Sequence, residues 1–318
     1  MGKRTGSIQM LEAFDKAGKR VHIVGNHETG VVIALDMEGR LFTVLNGEVL
    51  NRVNFDAIKG QSTRNQYLNP GGDGLWPAPE GTTLGYQYVT GEWGVAPGLR
   101  SARYLVAEST EDSVTIVAEV DLINNQGVGI PALFSREIRI GPDRREITVN
   151  VIEGITYIGR KPLSGTDCLL APWSLCQFDC GPGCEVIFPC QDETAVWDLY
   201  DQENNTSLIW EQGICRALTS GTHRYQIAIG EEVPWIEFRD PRCGLVVHRK
   251  AGPLPSGHSF IDIRDASPDI PPGSKGVRYS VYSDNSGFME IEAVGGCPEI
   301  ILPDTELKVV VSTRFMKS

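Results

Sequence analysis

The strongest constraint on the fold is a run of long segments in which apolar and polar residues alternate. These segments occupy residues 102–108, 113–124, 132–140 and 146–153, and clusters of turn-forming residues separate them. Alternation of this kind is typical of strands that bury one face, and the short connections favour antiparallel neighbours. Because the segments exceed the usual strand length of about five or six residues, the sequence predicts extensive sheets.

The N-terminal segment is an exception, because its apolar residues recur at the three-residue spacing of one helical face. These residues are Ile8, Leu11, Phe14 and Ala17. Ser7 can cap such a helix and Gly18 can end it. We therefore predict one short helix over about residues 7–18.

Almost every later segment is of strand length, which gives about twenty strands in one run. No linker rich in Pro, Ser or Gly divides this run, and we therefore expect a single domain over residues 1–318. A single sheet of that size would curl or split. The sequence thus predicts an all-β protein in which two large, mostly antiparallel sheets pack face to face.

The charge balance limits the classes of partner. The chain has 41 acidic and 29 basic residues, and this net charge of −12 repels the phosphates of nucleic acids and of anionic membranes. No apolar run has the length of a signal peptide or a membrane span. We expect a cytoplasmic protein with neither a nucleic-acid nor a membrane partner. Glycine-rich nucleotide motifs, His-Glu-x-x-His and Gly-x-Ser-x-Gly are absent from the sequence, which disfavours the reaction classes that depend on them.

Four of the eight cysteines lie close together, at Cys176, Cys180, Cys184 and Cys190. The spacing of the first three falls within the range of structural zinc ligands. A Gly-Pro-Gly turn between Cys180 and Cys184 favours a hairpin instead, with the other two cysteines along its strands. A metal site or a disulfide stays open, while free thiols are the expectation for a reducing compartment.

The stretch 69–80, Asn-Pro-Gly-Gly-Asp-Gly-Leu-Trp-Pro-Ala-Pro-Glu, carries the densest functional signal. Its glycines and prolines predict a rigid loop rather than a central strand. Such a loop can hold Asp73, Trp76 and Glu80 in fixed positions. An aromatic ring beside carboxylates suits a sugar, which has apolar faces and hydroxyl edges. The alternative is a surface crossing in which Trp76 only fills the core.

Acid–base candidates come from the late strands. Glu290 and Glu292 are two apart in a predicted strand, so their side chains project from the same face. Such a pair suits a general base with a pKa moved toward neutrality, or a site that binds hydroxyls, although a solvent-facing strand has the same pattern. Among the five histidines His248 is the best candidate, because the cations Arg249 and Lys250 follow it. An edge strand would carry the same residues.

Three segments together resemble one family. They are the Gly-Gly-Asp-Gly-Leu-Trp-Pro-Ala-Pro-Glu run that ends at Glu80, the Leu-Ala-Pro-Trp-Ser-Leu-Cys-Gln-Phe run that ends at Phe178, and the Met-Glu-Ile-Glu-Ala-Val-Gly run that ends at Gly295. They are similar to a branch of the galactose mutarotase-like proteins, which are related to aldose 1-epimerase. The resemblance implies a β-supersandwich with a sugar-binding concave sheet. It also places Glu292 at the position of the base that acts on the anomeric hydroxyl.

The sequence departs from the family pattern where the acid should lie. Asp73 stands where relatives have a histidine after two glycines, and no histidine matches the family residue that protonates the ring oxygen. His248, Asp73 and Tyr157 are the alternatives for that role. We expect Trp76 and Trp173 to stack on the sugar. Other polar residues are expected to bind its hydroxyls, namely Arg64, Glu80, Lys250 and Glu290.

These observations predict a carbohydrate-binding protein whose chemistry is isomerisation of the aldose 1-epimerase type. Such isomerisation requires no cofactor. Its catalytic candidates are Glu292, His248 and Asp73, and its site contains no metal. The alternative from another class is a non-catalytic sugar-binding or accessory protein that has lost the mutarotase acid. A polysaccharide lyase is disfavoured, because such enzymes usually have a helical domain and this sequence predicts a single helix. The identity of the sugar, its phosphorylation and the oligomeric state stay open.

Overall fold

The fold is taken from a computed structural model, which describes residues 5–63, 65–86, 94–200 and 207–317. These residues form 24 strands, three α-helices and one short 3-10 helix. As the alternating pattern predicts, the protein is mostly β, and two large antiparallel sheets contain most of the strands.

The helices of the described residues are short, and they are α1 (Ser7–Lys16), α2 (Phe55–Lys59) and α3 (Pro97–Arg100). Helix α1 confirms the prediction over residues 7–18. Its N-cap is Gly6, and Ser7 is its first helical residue. Gly18 follows its end with a φ of 65°, a conformation that glycine adopts without strain. No helix among the described residues has both the length and the apolar character needed to cross a membrane.

Strands joined by turns make up the rest of the fold. In chain order they are β1 (Val21–Gly25), β2 (Thr29–Ala34), β3 (Arg40–Leu45), β4 (Glu48–Val49), β5 (Asp73–Ala78), β6 (Leu105–Ser109), β7 (Ser113–Ile123), β8 (Gly129–Pro142), β9 (Glu146–Tyr157), β10 (Leu163–Ser164), β11 (Ala171–Asp179), β12 (Glu185–Pro189), β13 (Val196–Asp198), β14 (Leu208–Glu211), β15 (Ile214–Leu218), β16 (Tyr225–Ile229), β17 (Ile236–Asp240), β18 (Leu245–Ala251), β19 (His258–Phe260), β20 (Tyr279–Ser283), β21 (Phe288–Val294), β22 (Gly296–Pro298), β23 (Ile300–Ile301) and β24 (Glu306–Lys317). A 3-10 helix at Glu193–Ala195 precedes β13.

Two sheets of ten strands each form the two layers. The first sheet has the order β1-β2-β3-β5-β11-β21-β20-β16-β13, with β4 beside β3. The second has the order β14-β15-β12-β17-β18-β24-β9-β8-β7-β6, and it contains the long segments predicted between residues 102 and 153. Two further pairs, β10 with β23 and β19 with β22, lie outside these sheets.

The core lies between the two sheets. In β7 the residues Val114, Ile116 and Ala118 are buried, and the residues between them are more exposed. On the facing side Phe178 of the first sheet stacks on Phe238 of the second, with ring centroids 4.8 Å apart. One continuous apolar cluster includes residues of both sheets, and burial of this area is the main force that holds them together.

The first sheet also has an outer face, which points away from the second sheet. Helix α1 covers this face at β2 and β3, where Phe14 packs edge-on against Phe42 with ring centroids 6.1 Å apart. Strands β5, β11, β21, β20 and β16 carry the rest of the outer face. The candidate site lies on these strands.

The prediction of a rigid loop over residues 69–80 is wrong for part of this stretch. Residues Asp73–Ala78 are strand β5 inside the first sheet. Pro77 lies directly opposite Pro172 of β11. Two prolines can face each other without losing a ladder bond only at a non-hydrogen-bonded pair. On its other side β5 pairs with β3 only at Asp73 and Leu41. Strand β3 therefore makes no ladder hydrogen bond that would need a backbone N–H at Pro77.

Candidate functional site

The candidate site is built around two glutamates of β21 on the outer face of the first sheet. In register, Glu290 lies opposite Gln177 of β11 and Glu292 lies opposite Leu175. The two side chains project from the same face, as their spacing predicts, and each carboxyl group is close enough to shift the pKa of the other. Only 5% of Glu290 and 1% of Glu292 is exposed, so the pair is a buried acidic group and not a solvent-facing pattern.

Neutral polar side chains from neighbouring strands bind the two carboxyl groups. Gln177 Nε2 donates to Glu290 Oε1 at 2.5 Å, and Gln226 Nε2 donates to Glu292 Oε2 at 3.3 Å. Ser280 of β20 lies opposite Glu292 and hydrogen-bonds to it. The sequence patterns do not single out Gln177, Gln226 or Ser280. Their signal is a polar residue in an otherwise apolar strand, and it identifies a site only when the register is known.

Burial determines how the pair holds protons. It raises the pKa of the Glu290 carboxyl well above its ordinary value, and the charge of Glu292 raises it further. Burial also raises the pKa of Glu292, but polar hydrogens of Glu290, Ser280, Gln226 and Trp173 are directed at its carboxylate and oppose that rise. Donors that surround a carboxylate favour its charged form. The pKa of each carboxyl is raised, so the buried pair keeps a proton at pH values at which two exposed carboxyls would both be charged.

Two tryptophans adjoin the pair on the same face. Trp76 of β5 lies opposite Trp173 of β11, and the two rings meet edge to face with centroids 5.9 Å apart. Trp173 is 2% exposed, and its indole Nε1 makes no hydrogen bond of normal geometry. This N–H is directed at the Glu292 carboxylate and favours its charged form.

A buried cation lies against Trp76. The guanidinium of Arg40 is over the indole ring, 5.1 Å from the centroid, and it donates to Glu38 at 2.9 Å and to the Tyr67 hydroxyl at 3.0 Å. Tyr67 donates to the same Glu38 oxygen at 3.0 Å. The carboxylate compensates the buried charge of Arg40. This cluster fixes the orientation of Trp76 and covers one face of its ring.

Glu80 and a group of aromatic and cationic residues lie beside the carboxyl pair. Glu80 is close enough to Glu290 to raise its pKa. Tyr282 of β20 lies opposite Glu290, and its hydroxyl accepts from Arg224 Nε at 3.1 Å. Arg224 also donates to the Tyr200 hydroxyl at 2.9 Å. A cavity of about 410 Å³ borders Tyr200 and Arg224, a volume in the range of small-molecule sites.

Asp73, predicted as a catalytic residue, lies on the opposite face of the first sheet. Asp73 lies opposite Cys176 of β11, whereas Glu292 lies opposite Leu175, the preceding residue. Successive residues of a strand project from opposite faces, so the carboxylates of Asp73 and Glu292 also lie on opposite faces. Asp73 accepts hydrogen bonds from two guanidinium groups of the second sheet, Arg136 at 2.5 Å and Arg249 at 2.8 Å. It belongs to an ion-pair network between the sheets and does not reach a ligand bound at Glu292.

His248 and Lys250, predicted as an acid and as a substrate-binding cation, lie on the far side of the second sheet. Strand β18 turns Arg249 into the core, so its two neighbours point outward. His248 Nδ1 is 3.3 Å from Glu237 Oε2 on the adjacent strand. The core of the sandwich separates both residues from Glu292, and we do not retain them in the site.

The other predicted candidates are Arg64, Tyr157 and the histidines. Arg64 lies outside the described residues. Tyr157, the third alternative for the acid, ends β9 of the second sheet and donates to the Lys161 carbonyl at 2.8 Å. All five histidines are described, and none of them lies on β5, β11, β21, β20 or β16.

The cysteines are free thiols. Cys180 and Cys184 flank the predicted turn, where Cys184 N donates to the Gly181 carbonyl at 3.0 Å. Burial raises the pKa of each of these two thiols to about 12, and a protonated buried thiol is unreactive. Within the described ranges, no three residues of the types His, Cys, Asp and Glu are arranged to hold a metal ion.

Comparison with known proteins shows similarity in structure without similarity in sequence. No protein-family model matches the sequence, and no curated protein matches it. Solved structures that are similar include a protein from Synechocystis sp. PCC 6803, with a TM-score of 0.58, 10% identity, and coverage of 94% of this chain and 96% of that chain. A galactose mutarotase-like protein from Lactobacillus casei has a TM-score of 0.56 and 10% identity, over 93% of this chain and 100% of that chain.

A protein from Escherichia coli K12, provisionally named an aldose 1-epimerase, has a TM-score of 0.52 and 12% identity, over 95% of this chain and 100% of that chain. Each of these matches covers nearly the whole of both chains, so the likeness concerns the entire architecture and not one motif. The two packed ten-stranded sheets agree with it. The chain therefore has the galactose mutarotase-like fold.

Proposed function

We propose that the protein binds a carbohydrate on the outer face of the first sheet and interconverts its α and β anomers, as an isomerase of the aldose 1-epimerase type. The observation that carries the proposal is the Glu292 carboxylate, which is buried on that face beside a tryptophan N–H and two side-chain amides. Aromatic rings and a few fixed polar groups are the usual components of such sites. The names of two structural neighbours, a galactose mutarotase-like protein and a provisional aldose 1-epimerase, support the same class of ligand.

Glu292 is the base of the proposed reaction. Gln226 and Ser280 hold its carboxylate, so the orientation of the base is fixed before a sugar binds. The carboxylate removes the proton of the anomeric hydroxyl, C1–O1 becomes a carbonyl, and the bond between C1 and the ring oxygen breaks. An acid must protonate the ring oxygen in the same step. Rotation about the C1–C2 bond followed by ring closure gives the other anomer.

The sugar itself is held by the groups around the pair. The edge-to-face ring pair of Trp173 and Trp76 gives an apolar surface for C–H groups. Glu80 lies near Glu290 and can accept hydrogen bonds from sugar hydroxyls. Hydrogen bonds from hydroxyls to charged carboxylates are among the stronger ones available in a site.

A non-catalytic sugar-binding protein is the second candidate, and one observation favours it. None of the five histidines lies on the strands of the outer face, so these strands offer no histidine in the role of the mutarotase acid. A binding protein would be stabilised by a sugar without accelerating its anomerisation.

Polarimetry of freshly dissolved α-D-galactose, α-D-glucose and α-D-glucose 6-phosphate tests the proposal. We expect the wild-type protein to accelerate the change in rotation of at least one of them. Glu292→Gln should lower kcat by about 100-fold or more, because an amide cannot accept the proton. Glu237→Gln is the matched control, because it changes a carboxylate to an amide on the outward face of the second sheet, and it should keep the wild-type rate.

Two outcomes would count against this proposal in different ways. A Glu292→Gln variant as fast as the wild type would remove Glu292 from the role of base. A sugar that raises the melting temperature while no sugar turns over faster than in buffer would favour the non-catalytic candidate.

A further inference from the structure

We infer that Glu290 supplies the acid half of the reaction, so that two carboxyl groups that share one proton perform both proton transfers. This inference rests on the proposed function and deepens it. It assigns the acid to a residue that the sequence pattern indicated only as a group that binds hydroxyls.

The geometry of β21 provides both groups at the same place. Glu290 and Glu292 project from one face of the strand, both are buried, and each carboxyl group is close enough to shift the pKa of the other. Two buried carboxylates at such close range repel each other, so the pair is expected to hold one proton. The anomeric and ring oxygens of a sugar are both bonded to C1. Two carboxyl groups in mutual contact can therefore reach both oxygens at once.

Unsatisfied polar groups beside the pair indicate independently that a ligand binds there. Gln177 donates through Nε2 to Glu290, while its Oε1 is buried and has no hydrogen-bond partner among the described residues. Trp173, four residues earlier on the same strand and face, directs its Nε1 at Glu292 without a hydrogen bond of normal geometry. Buried polar groups normally have partners. A ligand hydroxyl can donate to the unpartnered Gln177 Oε1, so this position suits a hydroxylated ligand.

The surroundings distribute the roles between the two carboxyl groups. Donors from Gln226 and Ser280 stabilise the charge on Glu292, which makes it the base. Burial and then the charge of Glu292 raise the pKa of Glu290, which suits it to hold the proton that the ring oxygen receives. Among the described residues, the charged or titratable groups that face the pair from other elements are Arg40 of β3, Glu80 after β5 and Tyr282 of β20.

The proposed step conserves atoms, electrons and charge. Glu292 takes the proton of O1–H, the electron pair of that bond forms the C1–O1 double bond, and the C1–O5 bond breaks. The electron pair released on O5 takes the proton of Glu290. The pair now has its proton on Glu292 and its charge on Glu290, with the same total. After rotation about C1–C2 the reverse transfers close the ring and return the proton to Glu290, and no co-reactant is consumed.

Kinetics of Glu290→Gln and Glu290→Asp test the inference with the same three sugars. Glutamine keeps the size and polarity of the side chain but cannot give up a proton, so kcat should fall by about 100-fold or more while KM changes little. Aspartate keeps a transferable proton and should recover part of the lost kcat. If Glu290→Gln retains the wild-type kcat while Glu292→Gln loses it, the inference fails and the proposed function stands. If the wild-type protein accelerates none of the sugars, both fail.

The pH dependence of stability is a second test, and it requires no activity. A carboxyl whose pKa is raised by folding binds more protons in the folded state at pH values above 4.5, so its stabilising effect is lost as the pH rises through the folded pKa. Glu290→Gln removes this titration. The melting temperature of Glu290→Gln relative to the wild type should therefore increase as the pH is raised from 4.5 toward about 8. A difference that does not change with pH would show that Glu290 does not carry the proton, and it would overturn the inference.

Discussion

At the scale of the residue, two buried carboxyl groups of the first sheet have different neighbours and therefore different roles. Asp73 lies between the guanidinium groups of Arg136 and Arg249, and these fixed positive partners compensate its charge. Glu292 lies beside another acid and several neutral donors. An acidic neighbour leaves a proton that can be exchanged, whereas two cations do not. The charge of the surrounding groups, and not burial alone, distinguishes a structural carboxylate from a candidate base.

This distinction predicts the effect of changing Asp73. Asp73→Asn should lower the free energy of unfolding by about 3 to 5 kcal/mol, because Arg249 would lose its carboxylate partner in the core. Urea denaturation measures the change. Asp15→Asn, at an exposed position of α1, is the control and should stay within about 0.5 kcal/mol of the wild type. An Asp73→Asn variant as stable as the wild type would contradict a structural role for this residue.

At the scale of the element, strand β5 leaves room for Arg40, which packs on the ring of Trp76. Gly74 lies beneath the side chain of Arg40, and a Cβ at this position would be 2.7 Å from Arg40 Nη1 and 2.8 Å from its Cζ. Arg40 is fully buried and bonded to Glu38 and Tyr67, so it has little room to move. Glycine is needed in this strand because of that close approach.

We expect Gly74→Ala to destabilise the protein by about 1 to 3 kcal/mol and to displace Arg40 from the Trp76 ring. Near-ultraviolet circular dichroism should report the altered surroundings of Trp76, while the far-ultraviolet spectrum stays that of a β protein. Gly141→Ala in β8 is the control, because the nearest atom to its added Cβ would be 4.0 Å away. Identical near-ultraviolet spectra for Gly74→Ala and the wild type would contradict this account of β5.

Local sequence patterns predict the elements better than they predict the site. Alternation predicted the long strands of the second sheet and the shared face of Glu290 and Glu292, because both follow from the two-residue period of a strand. It missed β5, since the tolerance of Pro77 depends on a distant partner, Pro172. Whether Asp73 faces the site or the core depends on the pairing between β5 and β11. A shift of one residue would reverse its face, and local sequence does not determine that register.

At the scale of the whole molecule, stability and the proposed chemistry occupy different faces of the first sheet. The ion-pair network of Asp73, Arg136 and Glu153 lies between the sheets, and the carboxyl pair lies on the outer face. We propose that both sheets belong to one domain, because one apolar cluster contains residues of each. The urea curve measured for the wild type should then show a single transition, and two separate transitions would contradict a single domain.

The central claim is that the outer face of the first sheet is a sugar site organised around the carboxyl pair. A crystal structure of the protein soaked with galactose or glucose tests it most directly. We predict a bound pyranose whose anomeric oxygen lies within hydrogen-bonding distance of the Glu292 carboxylate, at about 2.6 to 3.2 Å, and whose ring oxygen faces Glu290. A sugar bound only elsewhere, for example in the separate cavity of about 420 Å³ beside Trp197 and Lys275, would contradict the claim.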